Sequence, residues 1–169
     1  MASREEEAVS EEAAQVEAGK TIYSRAMNPR LFFNEVEKER VVAAIKEAET
    51  KTSGEIRLHI DKSREVDAMK RAKKVFEVIG MTRTKGHSGV LIYINSRKRS
   101  FAIIGDRGIH KAVDDKFWLR LAESMSRKFK DGEYLRGTLD TIDTIGNKLR
   151  EAFPRRPDDA NELRDTVSY

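Results

Sequence analysis

Five oxygen-bearing side chains fall within eight residues near the C-terminus: Asp158, Asp159, Asn161, Glu162 and Asp165. Hard divalent cations such as calcium take about six to eight oxygens from carboxylates, amides, carbonyls and water. Short acidic side chains on an irregular backbone can supply them. The spacing is not that of an EF-hand loop, because no central glycine is present. A plain solvated tail has the same composition, and the residues alone leave both readings open.

Asp106 is the second candidate. It stands in Gly105-Asp106-Arg107-Gly108, where an apolar segment gives way to a loop, and open α/β sheets keep much of their chemistry where strands end. It can serve as a cation ligand, or it can cap the following turn by accepting the Gly108 or Ile109 amide. Glu55, at the start of another strand, is an open case as a ligand, and Asp114 suits a helix N-cap. His59, His87 and His110 show no paired metal-ligand spacing, so zinc is not expected. With no cysteine in the chain, disulfides, thiolate metal sites and cysteine nucleophiles are excluded. No phosphate-binding Gly-x-x-x-x-Gly-Lys-Ser/Thr loop or Gly-x-Ser-x-Gly elbow occurs. A cation-assisted attack on a phosphate ester remains open.

The elements that must position these residues follow from periodicity. Asn34, with Glu37 three residues on, makes a capping box, and Val41, Val42, Ile45 and Ala48 then line one helix face. Thr52-Ser53-Gly54 ends that helix. Glu55 to Asp61 alternates strictly, with Ile56, Leu58 and Ile60 on one side and His59 on the other, solvated or packed under a helix. Val66, Met69, Ala72, Phe76 and Ile79 mark a second helix, closed by Gly80. Gly89–Asn95 and Phe101–Gly105 are strands joined by too few residues for a crossover, so they pair antiparallel. Trp118, Leu121, Ala122, Met125 and Phe129 form a third stripe. Leu135 to Phe153 forms a fourth, stopped by Pro154. Thr166–Tyr169 is the available fourth strand. Three strands between helices predict a three-layer αβα sandwich around a mixed, about four-stranded sheet, with a parallel crossover between the first two strands.

Charge is distributed unevenly. Residues 1–20 carry a net −4 and the rest +8. The Ala/Glu-rich leader, residues 1–25, is read as flexible because it lacks large apolar side chains, and residues 26–169 as one domain. No apolar run approaches a membrane span, and no secretory pattern opens the chain, so cytoplasm is the expected location. Lys70, Arg71, Lys73 and Lys74 on one helix and Arg97, Lys98 and Arg99 on a turn read as solvated faces. Without interleaved aromatics, nucleic acid is not an expected partner.

From about Phe32 to Tyr169 the chain resembles a short, stand-alone member of the TPM domain family. The resemblance rests on Thr52-Ser53-Gly54-Glu55-Ile56, Gly89-Val90-Leu91-Ile92-Tyr93-Ile94 and Phe101-Ala102-Ile103-Ile104-Gly105-Asp106-Arg107-Gly108-Ile109. Phe117-Trp118, Phe129 with Gly132 and Gly137, and Phe153-Pro154 followed by Asp158-Asp159-x-Asn161-Glu162-Leu163-x-Asp165 continue it. It implies an αβα fold and binding of a divalent cation, calcium or alternatively magnesium. The expected ligands are Asp158, Asp159, Glu162, Asp165 and Asp106, with the cation tying the tail to the loop at Asp106. The role expected of such a cation-binding domain is metal-dependent regulation or scaffolding, with an unidentified protein among the possible partners. Weak metal-dependent hydrolysis of phosphate monoesters is the alternative, since phosphatase activity is proposed for some relatives. Arg164 replaces a proline usual in short forms, and Arg155-Arg156 sets positive charge beside the acidic tail, which is expected to weaken its hold on a cation.

Overall fold

The computed structural model describes residues 16–17, 28–161 and 163–169. Five strands, β1 (Val16–Glu17), β2 (Glu55–Asp61), β3 (Gly89–Asn95), β4 (Ser100–Gly105) and β5 (Val167–Ser168), form one mixed sheet in the order β1-β4-β3-β2-β5. The helices are α1 (Glu35–Glu49), α2 (Ala68–Val78), α3 (Arg107–Ala112), α4 (Asp115–Lys130) and α5 (Tyr134–Ala152). The expected α/β sandwich is therefore present. β2 and β3 run parallel through the α2 crossover, from Glu55↔Gly89 to Asp61↔Asn95. β3 and β4 pair antiparallel from Val90↔Gly105 to Asn95↔Ser100. The anticipated C-terminal strand is the two-residue β5, parallel to β2 with Leu58↔Val167 and His59↔Ser168. From the acidic leader, Val16–Glu17 is described, antiparallel to β4 at its outer edge.

Two apolar clusters flank the sheet. On one face Ile56, Leu58 and Ile60 pack with Val41 and Ile45 of α1 and with the α4 and α5 stripes; on the other, Leu91, Tyr93 and Ala102 lie under Met69, Ala72 and Phe76 of α2. Burial of apolar surface at about 25 cal/mol per Å² is the main force holding such layers together. The N-terminus of α1 carries the expected capping box: Asn34 Oδ1 accepts the Glu37 amide at 2.8 Å and Glu37 Oε2 accepts the Asn34 amide at 2.9 Å. Asp114 caps α4 by accepting the Phe117 amide at 2.8 Å.

Along the strip from residue 55 to 80, one reading needs correction and one open alternative is decided. Val66 is not part of the second helical stripe. It is 74% exposed, and α2 begins at Ala68 behind an Asp67 cap. A single valine at the right spacing extended the period beyond the capping residue that ends it. His59 is not solvated, and β2 is buried along all seven residues. Two neighbours hide its polar face. β5 covers the edge of the strand, and Leu163 of the C-terminal segment packs against the cluster on that side.

Candidate metal centre

The site begins in the turn between α1 and β2. Thr52 Oγ1 donates to the Phe153 carbonyl and accepts the Gly54 amide at 2.9 Å, and the Ser53 amide reaches the Phe153 carbonyl at 3.0 Å. Gly54 lies flat against α5, where a Cβ would stand 2.7 Å from Leu149 Cδ2. The turn is thus clamped to the end of α5, which fixes the two glutamates on either side of it.

Glu49 closes the run Val41, Ile45, Glu49 on the buried face of α1 and is 6% exposed. Its Oε1 accepts the Ile56 amide at 2.7 Å, while its Oε2 is buried with no hydrogen-bond partner. Glu55, 4% exposed, opens β2. Asp165 arrives from the C-terminal segment, two residues before β5, with Oδ1 accepting from Asn161 Nδ2 at 2.7 Å. Glu49, Glu55 and Asp165 each offer an oxygen within 4.8 Å of the others. Burial, then the contact with Asp165, pushes the Glu49 carboxyl up to about 9. Facing carboxylates in a dry setting cannot all stay charged unless something positive joins them.

The residues fit a hard cation. All donors are oxygens, and ions of calcium's size bind oxygens at about 2.3–2.6 Å, so oxygens across one ion stand roughly 5 Å apart. The unpaired Glu49 Oε2 is an acceptor that a cation would satisfy. Asp159 and Asn161 line the same pocket of about 220 Å³, together with Lys46, Thr50 and Arg155. Arg155 uses its guanidinium on two carbonyls, Glu49 O at 2.9 Å and Asp159 O at 3.0 Å, and so pins the tail to the end of α1. Arg57, on the same face of β2, donates to Thr166 O and Oγ1 at 3.4 Å. Burial disfavours its charge, and the three carboxylates favour it.

The sequence candidates sort unevenly around this pocket. Asp165 is in the carboxylate cluster and Asp159 is on the wall. Asp158 is exposed on the preceding turn and does not line the pocket. Glu162 lies outside the described residues. Asp106 caps α3, with Oδ1 accepting the Arg107 amide at 2.8 Å and Oδ2 3.1 Å from His87 Nδ1. It shares the sheet end with Glu55, because its amide donates to Gly89 O, but β3 stands between it and the cluster. Gly108 allows the loop over α3 to sit close, since a Cβ there would fall 2.0 Å from Gly86 O.

Reading the sequence missed Glu49. The available signal was its place four residues after Ile45 and eight after Val41, a charged side chain on the buried stripe of an amphipathic helix.

A mixed sheet sandwiched between helices, with a carboxylate pocket where α1, β2 and the tail converge, defines an α/β domain with an all-oxygen candidate cation site. The family comparison gives this class its name: the TPM domain family matches over residues 27–148, and the chain belongs to it. Among solved structures it is similar to the BA42 protein from the psychrophilic bacterium Bizionia argentinensis, determined by NMR. The identity is 40%, the match covers 81% of this chain and 94% of that one, and the TM-score is 0.75. No curated protein matches. Glu49 and Glu55 fall inside the family match; Asp165 lies beyond it. Among the described residues, no helix is long and apolar enough to cross a membrane.

Proposed function

We propose that this TPM domain binds a divalent cation, calcium by its donor chemistry, through Glu49, Glu55 and Asp165. Asp159 and Asn161, which line the same pocket, are the further oxygen donors that would complete the shell directly or through water. The observation that carries the reading is the buried, unpartnered Oε2 of Glu49 in a cluster of three carboxylates. Two ligands belong to the domain body and one to the C-terminal segment. Occupancy then holds that segment down, and the role is metal-dependent regulation or scaffolding. Calorimetric titration of chelator-stripped protein with calcium, and with magnesium for comparison, tests it. Saturable binding that is lost in Glu49→Gln and Asp165→Asn is expected. Flat heats for both ions with an unchanged melting temperature overturn it.

Metal-dependent hydrolysis of a phosphate monoester is the second reading. One observation favours it: the pocket, at about 220 Å³, is roomier than one ion requires, and Lys46 lines its wall. A bound cation supplies charge stabilisation for a phosphoryl oxygen or activates water, and Lys46 would orient the anion. Turnover that stops on chelation and in Glu55→Gln supports this reading; turnover that survives both rules it out.

A further inference from the structure

The opposite end of the sheet has the opposite character. β2, β3 and β4 reach one rim together, with Asp61 in register with Asn95 and Asn95 with Ser100. Asn95 Nδ2 donates to the Ser63 and Glu65 carbonyls at 3.1 and 3.4 Å, and Ser96 Oγ donates to Asp61 O at 2.9 Å. These bonds hold the loop after β2 against the β3–β4 turn. Residues 61–71 and 96–99, brought together in this way, contain seven Lys or Arg and three Asp or Glu, and Glu17 of β1, in register with Ser100, places a fourth acid at the edge of the rim.

The three acids of the two loops, Asp61, Glu65 and Asp67, are engaged internally. Asp61 holds Arg71 at 2.9 Å, Glu65 lies 3.6 Å from Lys70, and Asp67 accepts the Lys70 amide as the cap of α2. Lys62, Arg64, Arg97 and Lys98 are exposed and make no ion pair among the described residues. Between these charges Val66 presents its side chain to solvent, 74% exposed. Two adjoining basic loops at one end of a sandwich, with an apolar side chain at the tip of one, match the chemistry of an anionic bilayer surface. Lys and Arg gain from anionic headgroups within a Debye length, and a small apolar group enters the headgroup boundary. Nucleic acid fits less well. Among the described residues, the rim carries no exposed aromatic ring on which a base could stack.

We propose that this rim, built from Lys62, Arg64, Arg97 and Lys98 around Val66, docks the domain reversibly on membranes rich in anionic lipid. This surface is independent of the cation pocket at the other end of the sheet. Vesicle sedimentation with the full chain, acidic leader included, tests it. Chelator is present so that calcium cannot bridge the acidic end to headgroups. The chain should sediment with phosphatidylcholine vesicles that contain phosphatidylserine, stay in solution with phosphatidylcholine alone, and be released by salt. K62E/R64E/R97E/K98E, checked for an unchanged melting temperature, should lower the partition at least tenfold. Val66→Ser should lower it several-fold with the salt dependence intact. No sedimentation with anionic vesicles at low salt overturns the proposal, as does unchanged binding of the charge-reversed protein. Tighter binding of a DNA duplex than of vesicles, indifferent to Val66→Ser, overturns it in favour of a nucleic-acid surface.

Discussion

Glu49 Oε1 and the Ile56 amide are 2.7 Å apart although the residues are seven positions apart in the chain. This bond spans the Thr52-Ser53-Gly54 turn and fastens the last residue of α1 to the start of β2. It uses one carboxylate oxygen and leaves Oε2 as the buried oxygen without a partner. An unsatisfied buried carboxyl oxygen costs about 1–3 kcal/mol or more. In the chain without an ion this carboxyl faces Glu55 and Asp165, an arrangement that disfavours charge on all three at once.

The stability of the metal-free protein should fall as pH rises. Glu49 has its carboxyl raised from 4.5 to about 9. A group raised above its unfolded value contributes fully below the unfolded pKa and loses that contribution as pH climbs through the folded one. Chelator-stripped protein is expected to lose stability from about pH 5 up to about pH 9, with a slope of at most about 1.4 kcal/mol per pH unit. Glu49→Gln keeps a neutral side chain of the same shape and should flatten the slope, making the apo protein more stable than wild type at pH 8. Thermal melts across this range check it. Parallel slopes in the two proteins would show that Glu49 is not the group that titrates.

Substitutions in the tail should have unequal effects on cation affinity. Asp165→Asn removes a charge from the cluster and is expected to lower calcium affinity by more than the roughly 10–100-fold typical of losing a group that only orients a ligand. Asp158→Ala removes an exposed side chain that does not line the pocket, and should change affinity by less than about twofold. Asp159→Ala falls between them, because its Oδ2 also accepts the Arg156 amide at 2.6 Å. Equal losses at Asp158 and Asp165 would mean that the tail binds as a diffuse acidic strip.

Arg155 should support the site rather than oppose it. Positive charge next to an acidic tail suggests a weakened cation site, yet this guanidinium spans Glu49 O and Asp159 O. Arg155→Ala is expected to lower calcium affinity by about tenfold through loss of positioning and to raise proteolysis within residues 155–169. Arg155→Lys, which retains the charge but lacks the two-armed geometry, should recover only part of either. Tighter calcium binding in Arg155→Ala would restore the repulsive reading.

The sequence revealed the sandwich more readily than the site. The helices, the parallel crossover and the hairpin follow from apolar spacing and short connections, which are local signals. Even β5 was legible at Thr166–Tyr169, because Val167 and its neighbours favour extended chain. The candidate cation site is not local. Glu49 falls on a helix, Glu55 on a strand and Asp165 in a tail, and the last two are 110 positions apart. What joins them is the Thr52–Phe153 clamp and the pairing of β5 with β2, contacts between distant segments. The burial of His59 and Asp61 was hidden for the same reason: alternation shows which residues share a face, but not that a returning segment covers it.

That covered face gives the last expectation. Asp61 accepts from Tyr93 Oη at 2.7 Å, from Arg71 Nε at 2.9 Å and from the Ser63 amide at 3.0 Å. Burial pushes its carboxyl up, but neighbouring His59 and these three donors outweigh burial and hold it well below its ordinary 3.8. A depressed carboxyl contributes stability above its unfolded pKa and loses it as pH falls through the folded one. Wild type should therefore lose stability progressively below about pH 4, with Asp61 among the groups responsible. Asp61→Asn keeps an acceptor for Tyr93 but gives up the charge-assisted bond to Arg71, and should cost about 1.5–3 kcal/mol at neutral pH. Tyr93→Phe should cost about 1 kcal/mol. Urea unfolding at pH 7 and pH 3 measures both. The gap between wild type and Asp61→Asn should narrow at pH 3, while calcium affinity at the far end of the sheet stays unchanged. A gap of constant size would assign the cost to packing and not to the charge of Asp61.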